Sequence, residues 1–250
     1  IIYCMYEFLK KKYGQNFLID QNIIKKICSL IPNKYLKVIE IGPGDGRLTD
    51  KILFFEPKDF KIIEIDSDLI PFLQSKFKGN QKIKIINEDI LKYQLFEKVD
   101  LIISNLPYNI SSQILVKICL MENLPNNLIL MFQKEFAERL LDKKLNSLNS
   151  LVGCLYEINT NFNVSKNCFR PVPKIDSTVL SFNKKENPLL KKNEIEKFIE
   201  FKRNLFSHKR KILNNLLKNY NFDKTKFDLS TRIEDISLKK LIEIFRVINF

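Results

Sequence analysis

Short apolar runs rich in isoleucine alternate with amphipathic stretches over the first half of the chain. Bounded runs of β-branched residues, each followed by helical periodicity, are typical of a parallel β-sheet with helical crossovers. The first helix is predicted over residues 20–31, where Asp20 is a suitable N-cap. The pattern predicts an α/β fold, and its first five strands are expected at Lys37–Ile41, Lys61–Ile65, Lys82–Asn87, Val99–Ser104 and Asn127–Phe132.

Two later apolar runs, at residues 156–164 and 177–182, follow each other without an obvious helical pattern between them. They are predicted to form an antiparallel pair at one edge of a sheet that is otherwise mostly parallel. Residues 184–192 are polar and read as a linker. The sequence therefore divides into a sheet domain over residues 1–185 and a small all-α domain over residues 186–250.

The C-terminal quarter of the chain is helical in pattern and strongly basic. Asn193 with Glu196 resembles a capping box, and Ser237 is placed to cap a final helix. From Lys184 onward there are 17 Lys and Arg against 9 Asp and Glu, within a chain whose net charge is +13. This excess favours a polyanionic partner, although a lysine-rich genome composition would produce a similar bias.

Composition narrows the class of protein further. The five cysteines are an odd number without a C-x-x-C pair, so neither a disulfide framework nor a metal site is predicted. No apolar run approaches the roughly 18 residues of a membrane span, and no secretory signal pattern is seen. We expect a monomer that makes no contact with membranes and works in a reducing compartment, the cytoplasm or an organelle matrix.

A glycine turn follows the first predicted strand. Three of the six glycines, Gly42, Gly44 and Gly46, lie in the segment EIGPGDG. A glycine turn at the carboxyl end of this strand is where doubly wound sheets bind nucleotides, because glycine lets a ligand approach the backbone closely. The alternative is a tight turn with no ligand. The spacing departs from G-x-G-x-x-G, and no Lys-Ser/Thr pair follows to make a phosphate-binding loop.

Two acids end the next two strands and extend the predicted nucleotide site. Glu64 stands close to the roughly 20-residue offset expected of an acid that binds ribose hydroxyls. Asp89 follows the third strand and can accept a hydrogen bond from an adenine amine. The alternatives are a solvated strand-end carboxylate for Glu64 and a helix N-cap for Asp89. An adenosine-bearing cofactor fits this rim, and both NAD and S-adenosylmethionine qualify.

The fourth strand ends in Asn105-Leu106-Pro107-Tyr108, which favours S-adenosylmethionine over NAD. An exocyclic adenine amine is a poor nucleophile because its lone pair is delocalised into the ring. The side-chain oxygen of Asn105 and the backbone carbonyl of Leu106 or Pro107 can accept hydrogen bonds from both amine protons. Tyr108 offers a face on which a base can stack. The alternative is an ordinary loop with a tyrosine packed in the core.

Taken together, the motifs resemble those of the ribosomal RNA adenine dimethyltransferase family over nearly the whole chain. The resemblance implies a Rossmann-like class I methyltransferase sheet and a small helical domain that binds RNA. The matching segments are GQNFL at residues 14–18, EIGPG at 40–44, Glu64, Asp89, NLPYNIS at 105–111, FRPVPKIDS at 169–177 and FSHKRK at 206–211.

The resemblance also implies roles for single residues. Tyr108 and Phe169 would sandwich the target adenine, and Asn105 would hold its amine. The bland alternative for Phe169 is an aromatic residue of the core. The residues implied to bind S-adenosylmethionine are Asn16, Leu18, Gly42, Gly44, Glu64, Asp89 and Asn105.

The implied substrate is a pair of adjacent adenosines in a 3′-terminal hairpin of small-subunit ribosomal RNA, within an assembling small ribosomal subunit. A basic segment of the second domain would contact its phosphates, with a solvated helix face as the alternative. The residues concerned are Lys202, Arg203, Lys209, Arg210 and Lys211.

Three other functions stay open at this point. One is a sibling enzyme that methylates large-subunit ribosomal RNA and confers macrolide resistance. It shares the motifs, although the sequence Ile175-Asp176-Ser177 after Pro171 and Pro173 argues against it. A non-enzymatic organellar transcription factor of the same fold is the second alternative. An NAD-dependent oxidoreductase is disfavoured because no catalytic acid or base accompanies the glycine turn.

Overall fold

The chain forms two compact units in the computed structural model. One unit runs to Ala137 and resumes over Ile158–Asn183, and the other comprises Glu138–Glu157 and the chain from Lys184 onward. The second unit thus takes in a stretch that the predicted boundary at residue 185 assigned to the first domain. The structure describes residues 15–32, 37–94, 97–208 and 210–248.

The first unit is built on a seven-stranded sheet in the order β4-β3-β2-β5-β6-β9-β7. Strands β2 to β6 are parallel to their neighbours, and β9 runs antiparallel to β6. The predicted α/β architecture is confirmed, and the two late runs are neighbours at one edge. The strands are β1 Phe17–Leu18, β2 Lys37–Ile41, β3 Asp59–Glu64, β4 Ile83–Asn87, β5 Leu101–Asn105, β6 Asn127–Gln133, β7 Tyr156–Val164, β8 Phe169–Arg170 and β9 Ser177–Lys184.

The strand order follows from the distribution of apolar residues. The first four residues of β5 are buried, and β6 is buried along its middle, as expected for strands covered on both faces. Strand β4 has only half-buried and exposed positions, which suits an edge. The chain leaves β2 in one direction towards β3 and β4, and returns to add β5 on the other side. The point where the order reverses is where open α/β sheets bind ligands.

The helices begin largely where the sequence indicates. Asp20 accepts hydrogen bonds from the N–H groups of Asn22 and Ile23, and Ser237 accepts one from Lys240, so both predicted N-caps are confirmed. The helices are α1 Gln21–Cys28, α2 Arg47–Ile52, α3 Ile70–Lys76, α4 Ser111–Cys119, α5 Lys134–Leu141, α6 Ser147–Leu155, α7 Ile195–Phe206, α8 Leu213–Leu216 and α9 Leu238–Val247.

The predicted capping box at Asn193 and Glu196 is wrong. A 3₁₀ turn over Lys192–Glu194 precedes α7, and the carboxylate of Glu194 accepts a hydrogen bond from the N–H of Lys191. The tighter turn moves the capping interaction two residues earlier. The same carboxylate binds Arg246 of α9, an interaction that local spacing does not reveal.

A separate two-stranded sheet joins the beginning of the described chain to the segment around Phe169. Phe17 pairs with Arg170 and Leu18 with Phe169, and the N–H of Ile19 donates to the carbonyl of Cys168. We call residues 15–19 the strap. The ring of Phe17 packs on Gly44 so closely that a Cβ placed there would lie 2.6 Å from it. The glycine turn is therefore shaped in part to receive the strap.

Gly44→Ala tests this contact, with Gly79→Ala as the matched control. Both glycines have a positive φ, +57° and +84°, but a Cβ at Gly79 would meet nothing within 4 Å. We expect Gly44→Ala to lower the free energy of unfolding by about 1–3 kcal/mol more than Gly79→Ala, because only Gly44 adds a clash with a packed ring. Urea denaturation measures both values. Equal losses would show that Phe17 does not depend on Gly44.

Candidate active site

A pocket opens at the carboxyl end of β2 and β5, where the strand order reverses. It contains about 910 Å³ of non-atom space, with open solvent at its mouth included. All the residues predicted to bind cofactor or hold the target amine line it, namely Asn16, Leu18, Gly42, Gly44, Glu64, Asp89, Asn105, Leu106, Pro107 and Tyr108.

The first two glycines of the turn serve different purposes. At Gly42 the backbone is left-handed, with φ at +64°, and a Cβ would meet nothing within 4 Å, so a ligand can reach the backbone there. Gly44 is covered by Phe17, and its N–H donates to Glu64 over 3.3 Å. Close approach of a ligand therefore explains why a glycine stands at position 42, but it does not explain the glycine at position 44. Gly44 is needed for the strap and for the position of the Glu64 carboxylate.

Glu64 is buried at the end of β3 and is held by backbone donors. Its Oε2 accepts the N–H of Gly44, and its Oε1 accepts the N–H of Asp66 over 2.9 Å. Burial raises the pKa of this carboxyl to about 7, against the lowering effect of the two N–H donors. Each oxygen keeps a lone pair, so the carboxylate is a suitable acceptor for a pair of ribose hydroxyls.

Asp89 begins a turn rather than a helix. Its Oδ1 accepts the N–H of Leu91 over 2.9 Å, and its backbone carbonyl accepts the N–H groups of Lys92 and Tyr93. The N-cap alternative is therefore wrong, because no α-helix follows. Within the described residues no hydrogen bond to Oδ2 is found, which leaves that oxygen as an acceptor at the pocket.

Lys117 holds this turn, and the sequence analysis missed it. The side chain extends from α4, and its ammonium donates to the carbonyl of Leu91 over 2.8 Å. Burial lowers the pKa of Lys117, and the neighbouring charges of Asp89 and Glu88 oppose that shift. The lysine thus links the helix behind the Asn105 motif to the turn that carries Asp89. In the sequence, the only indication of this role is a single lysine near the end of a mostly apolar helix.

Glu40 is a second residue that the sequence analysis passed over. It lies inside β2, fully buried, and accepts the hydroxyl of Thr49 over 2.6 Å. Burial raises its pKa to about 8, and the hydrogen bond from Thr49 opposes the shift. Glu40 also lines the pocket. An acidic residue in an otherwise apolar strand is a signal that sequence reading can use.

The amide of Asn105 is oriented by the strap. Its Nδ2 donates to the backbone carbonyl of Asn16 over 2.8 Å. A carbonyl only accepts, so the amide must present its NH₂ group to Asn16 and its oxygen elsewhere. The pocket therefore receives Asn105 as a hydrogen-bond acceptor.

The two backbone carbonyls that could serve as the second acceptor of the motif differ in their hydrogen bonds. The carbonyl of Pro107 already accepts the N–H of Ile110 and the hydroxyl of Ser111, over 3.2 and 3.1 Å. Both of its lone pairs are engaged. Of the two carbonyls that the sequence left open, the one of Leu106 is therefore the better candidate for the target amine.

Tyr108 lines the pocket with its ring while its hydroxyl is fixed from behind. The hydroxyl lies 2.7 Å from Oγ of Ser177, which is buried at the start of β9. Burial raises the pKa of Tyr108, and the hydrogen bond with Ser177 opposes the shift. The tyrosine stays neutral, and its ring position is set by a residue of the FRPVPKIDS segment.

Phe169 does not lie where a base-stacking wall would need it. Its side chain is 0% exposed and packs in the core of the first unit, and it is not among the residues that line the pocket. The pairing of β1 with β8 covers it. In the structure Phe169 is an aromatic residue of the core, which was the alternative to base stacking.

The predicted RNA-binding segment is only partly exposed. Lys202 is buried, and its ammonium donates to the carbonyl and hydroxyl of Ser147, so it does not fit a contact with phosphates. Arg203, Arg210 and Lys211 are exposed. Lys209 lies outside the described residues. The burial of Lys202 depends on the packing of α6 with α7, which the sequence does not show.

The described part of the chain contains neither a metal-binding cluster nor a helix that could span a membrane. No group of three or more His, Cys, Asp or Glu residues there is arranged to hold a metal ion. Among the helices described, none combines the length and apolar character needed to cross a bilayer.

The chain is similar to known proteins over nearly its full length. A family model described as ribosomal RNA adenine dimethylase matches residues 7–249. A ribosomal RNA small subunit methyltransferase A from Malacoplasma penetrans is 42% identical over 232 residues, which cover 88% of this chain and 82% of that protein.

Two solved structures share the fold. A dimethyladenosine transferase from Plasmodium falciparum has a TM-score of 0.79 and 26% identity, with 94% of this chain and all of that chain covered. The 23S rRNA methyltransferase ErmE has a TM-score of 0.73 and 23% identity, with 92% and 98% covered. The second likeness concerns the fold alone.

Glu64 predicts a pH dependence of cofactor binding. Its pKa is raised to about 7, so the free protein holds the carboxyl protonated below that pH. Ribose hydroxyls donate best to the ionised form, and binding therefore favours loss of the proton. Affinity for S-adenosylhomocysteine should rise as the pH increases to about 7 and level off above it. Calorimetry in two buffers of different ionisation enthalpy measures the proton released.

Glu64→Gln is the control, since it keeps the shape and removes the titration. Its binding should be weaker and flat across the same pH range. Glu40 is present in both proteins, so the difference between them isolates Glu64. A wild-type affinity that does not change across neutral pH would contradict the assignment.

Lys117→Met should weaken binding of S-adenosylhomocysteine about tenfold, the equivalent of one lost hydrogen bond. The loss should shrink for the analogue without the 6-amino group, because the Lys117 contact positions Asp89 towards that amine. Lys92→Met, which removes an exposed lysine of the same turn, serves as the control. The same loss for both ligands would assign Lys117 a structural role only.

Proposed function

The chain belongs to the ribosomal RNA adenine dimethylase family, and from this premise we propose that it transfers methyl groups from S-adenosylmethionine to N6 of adenosine in small-subunit ribosomal RNA. The observation that carries the proposal is the pair of acceptors at Asn105 and Leu106, which line the same pocket as Glu64 and Asp89. The finer target is two adjacent adenosines in a 3′-terminal hairpin, modified while the small subunit assembles. We expect a monomer to do this.

The pocket suits S-adenosylmethionine because of the hydrogen-bond acceptors that line it and the open space at Gly42. Gly42 leaves space where a Cβ would stand, and Glu64 and Asp89 offer carboxylate oxygens to hydroxyl and amine donors. When bound, the cofactor supplies an electrophilic methyl group. Asn16 and Leu18 of the strap would close over it.

The residues of the motif make the adenine amine a better nucleophile. Oδ1 of Asn105 and the carbonyl of Leu106 accept hydrogen bonds from its two N–H groups, which favours a tetrahedral nitrogen with a localised lone pair. Tyr108 supports one face of the base, which must leave its stack to enter the pocket. Positioning accounts for most of the rate, and no strong general base is needed. Consistent with this, the single histidine, His208, belongs to the second unit.

The exposed basic residues of the second unit support an RNA substrate. Arg203, Arg210 and Lys211 present their charges to solvent, and we propose that they contact phosphates. Lys202 is left out of this set because it is buried. Phe169 is likewise left out of base stacking, which we assign to Tyr108.

Incubation with labelled S-adenosylmethionine tests the proposal directly. Unmethylated small-subunit particles and large-subunit particles are offered separately, and the labelled adenines are mapped. Label as N6,N6-dimethyladenosine on the small-subunit RNA alone is expected. Label on the large-subunit RNA would favour the sibling activity, and tight RNA binding without label would favour a binding protein of the same fold.

Asn105→Ala should lower methyl transfer by about two orders of magnitude or more, in keeping with removal of one preorganised polar group from a reaction centre. Thermal unfolding should be little changed. Asn109→Ala, an exposed asparagine in the same motif that does not line the pocket, should keep near-normal activity. Full activity of Asn105→Ala would contradict the proposed role of the amide.

A further inference from the structure

A second concave site lies beside the pocket, and we propose that it binds the RNA phosphates that flank the target adenosine. The inference rests on the proposed function and adds, within the first unit, a substrate subsite that does not include the basic segment of the second. We call this site the lysine cleft. Its lining residues are Lys134, Glu135, Lys166, Lys174, Ile175 and Asp176.

The strand register places the lysine cleft close to the reaction centre. Asn105 of β5 pairs with Met131 of β6, and Gln133 of β6 pairs with Ser177 of β9. Lys134 thus follows Met131 by three residues, or about 10 Å of strand. The cleft lies on the same carboxyl-end rim of the parallel strands as the pocket. A nucleotide with its base against Tyr108 would have its neighbouring phosphates within reach of a lysine side chain.

The backbone of the cleft is fixed, while its ammonium groups are free to meet a ligand. The carbonyl of Asp176 accepts the N–H of Lys134 over 3.0 Å, and its Oδ1 accepts the N–H of Lys166 over 2.9 Å. Lys174 follows Pro173, whose ring restricts the chain. Asp176 precedes Ser177, which bonds Tyr108. One short segment therefore connects the cleft to the residue that supports the base.

The charges of the cleft suit a polyanion. All three lysines are exposed, and none forms a salt bridge with another residue of the described ranges. Two other lysines of the first unit, Lys61 and Lys76, are by contrast paired with carboxylates. Of the two acids in the cleft, Asp176 has one carboxylate oxygen bonded to backbone. Phosphates of a strand would relieve the repulsion between the lysines and release counterions.

The test compares two triple variants with the same loss of charge. K134Q/K166Q/K174Q neutralises the cleft. K58Q/K78Q/K82Q removes three exposed lysines from the amino-terminal side of β3 and β4, on the opposite rim. Affinity for a transcript of the small-subunit 3′-terminal hairpin is measured over a series of salt concentrations. Affinity for S-adenosylhomocysteine is measured in parallel to show that the pocket is intact.

The cleft variant should lower the slope of log affinity against log salt by about two, since each phosphate contact on a single strand contributes about 0.7. The control variant should change the slope by much less, and both should bind S-adenosylhomocysteine normally. The charge-retaining variant K134R/K166R/K174R should keep the wild-type slope.

Equal slopes for the cleft and control variants would overturn the inference. So would a loss of RNA affinity that the arginine triple shares, because charge would then not be the cause. Wild-type protein that neither binds nor methylates the transcript or the particle would instead refute the proposed function itself. The two failures are therefore distinguishable.

Discussion

The hydrogen bond from the amide of Asn105 to the backbone carbonyl of Asn16 is the contact on which the site depends. It decides which end of the amide faces the pocket, and only the oxygen end can accept a hydrogen bond from an adenine amine. A backbone carbonyl is a reliable partner because it never donates. The amide that we propose to be catalytic is therefore oriented by a segment 89 residues away in sequence.

The strap that supplies this carbonyl is itself attached at several points. Gln15 donates to Asp66, whose own N–H binds Glu64, and Phe17 packs on Gly44. Pairing of β1 with β8 connects the strap to the segment that ends at Ser177, whose hydroxyl forms a hydrogen bond with that of Tyr108. The residues that we propose to bind the cofactor, support the target base and accept from its amine, namely Glu64, Tyr108 and Asn105, are thus held by one connected set of contacts. A change in the strap should affect all three.

Much of this site could be predicted from the sequence because strand ends and short motifs are local signals. Strand β2 lies where the apolar run indicates, and Gly42, Glu64, Asp89 and Asn105 meet at one rim because parallel strands share their carboxyl ends. What failed depends on tertiary packing. No local pattern shows that Lys202 is buried against Ser147, or that Phe169 is covered by a strand formed more than 150 residues earlier. The lysine cleft likewise needs the pairing of β6 with β9.

A structure of the protein with S-adenosylhomocysteine and a short RNA strand containing the target adenosine tests the central claim most directly. N6 is expected within hydrogen-bond distance of Oδ1 of Asn105 and of the carbonyl of Leu106. Nδ2 of Asn105 should still donate to the backbone carbonyl of Asn16. An amine bound to the carbonyl of Pro107 would contradict it, and so would an Asn105 amide released from Asn16.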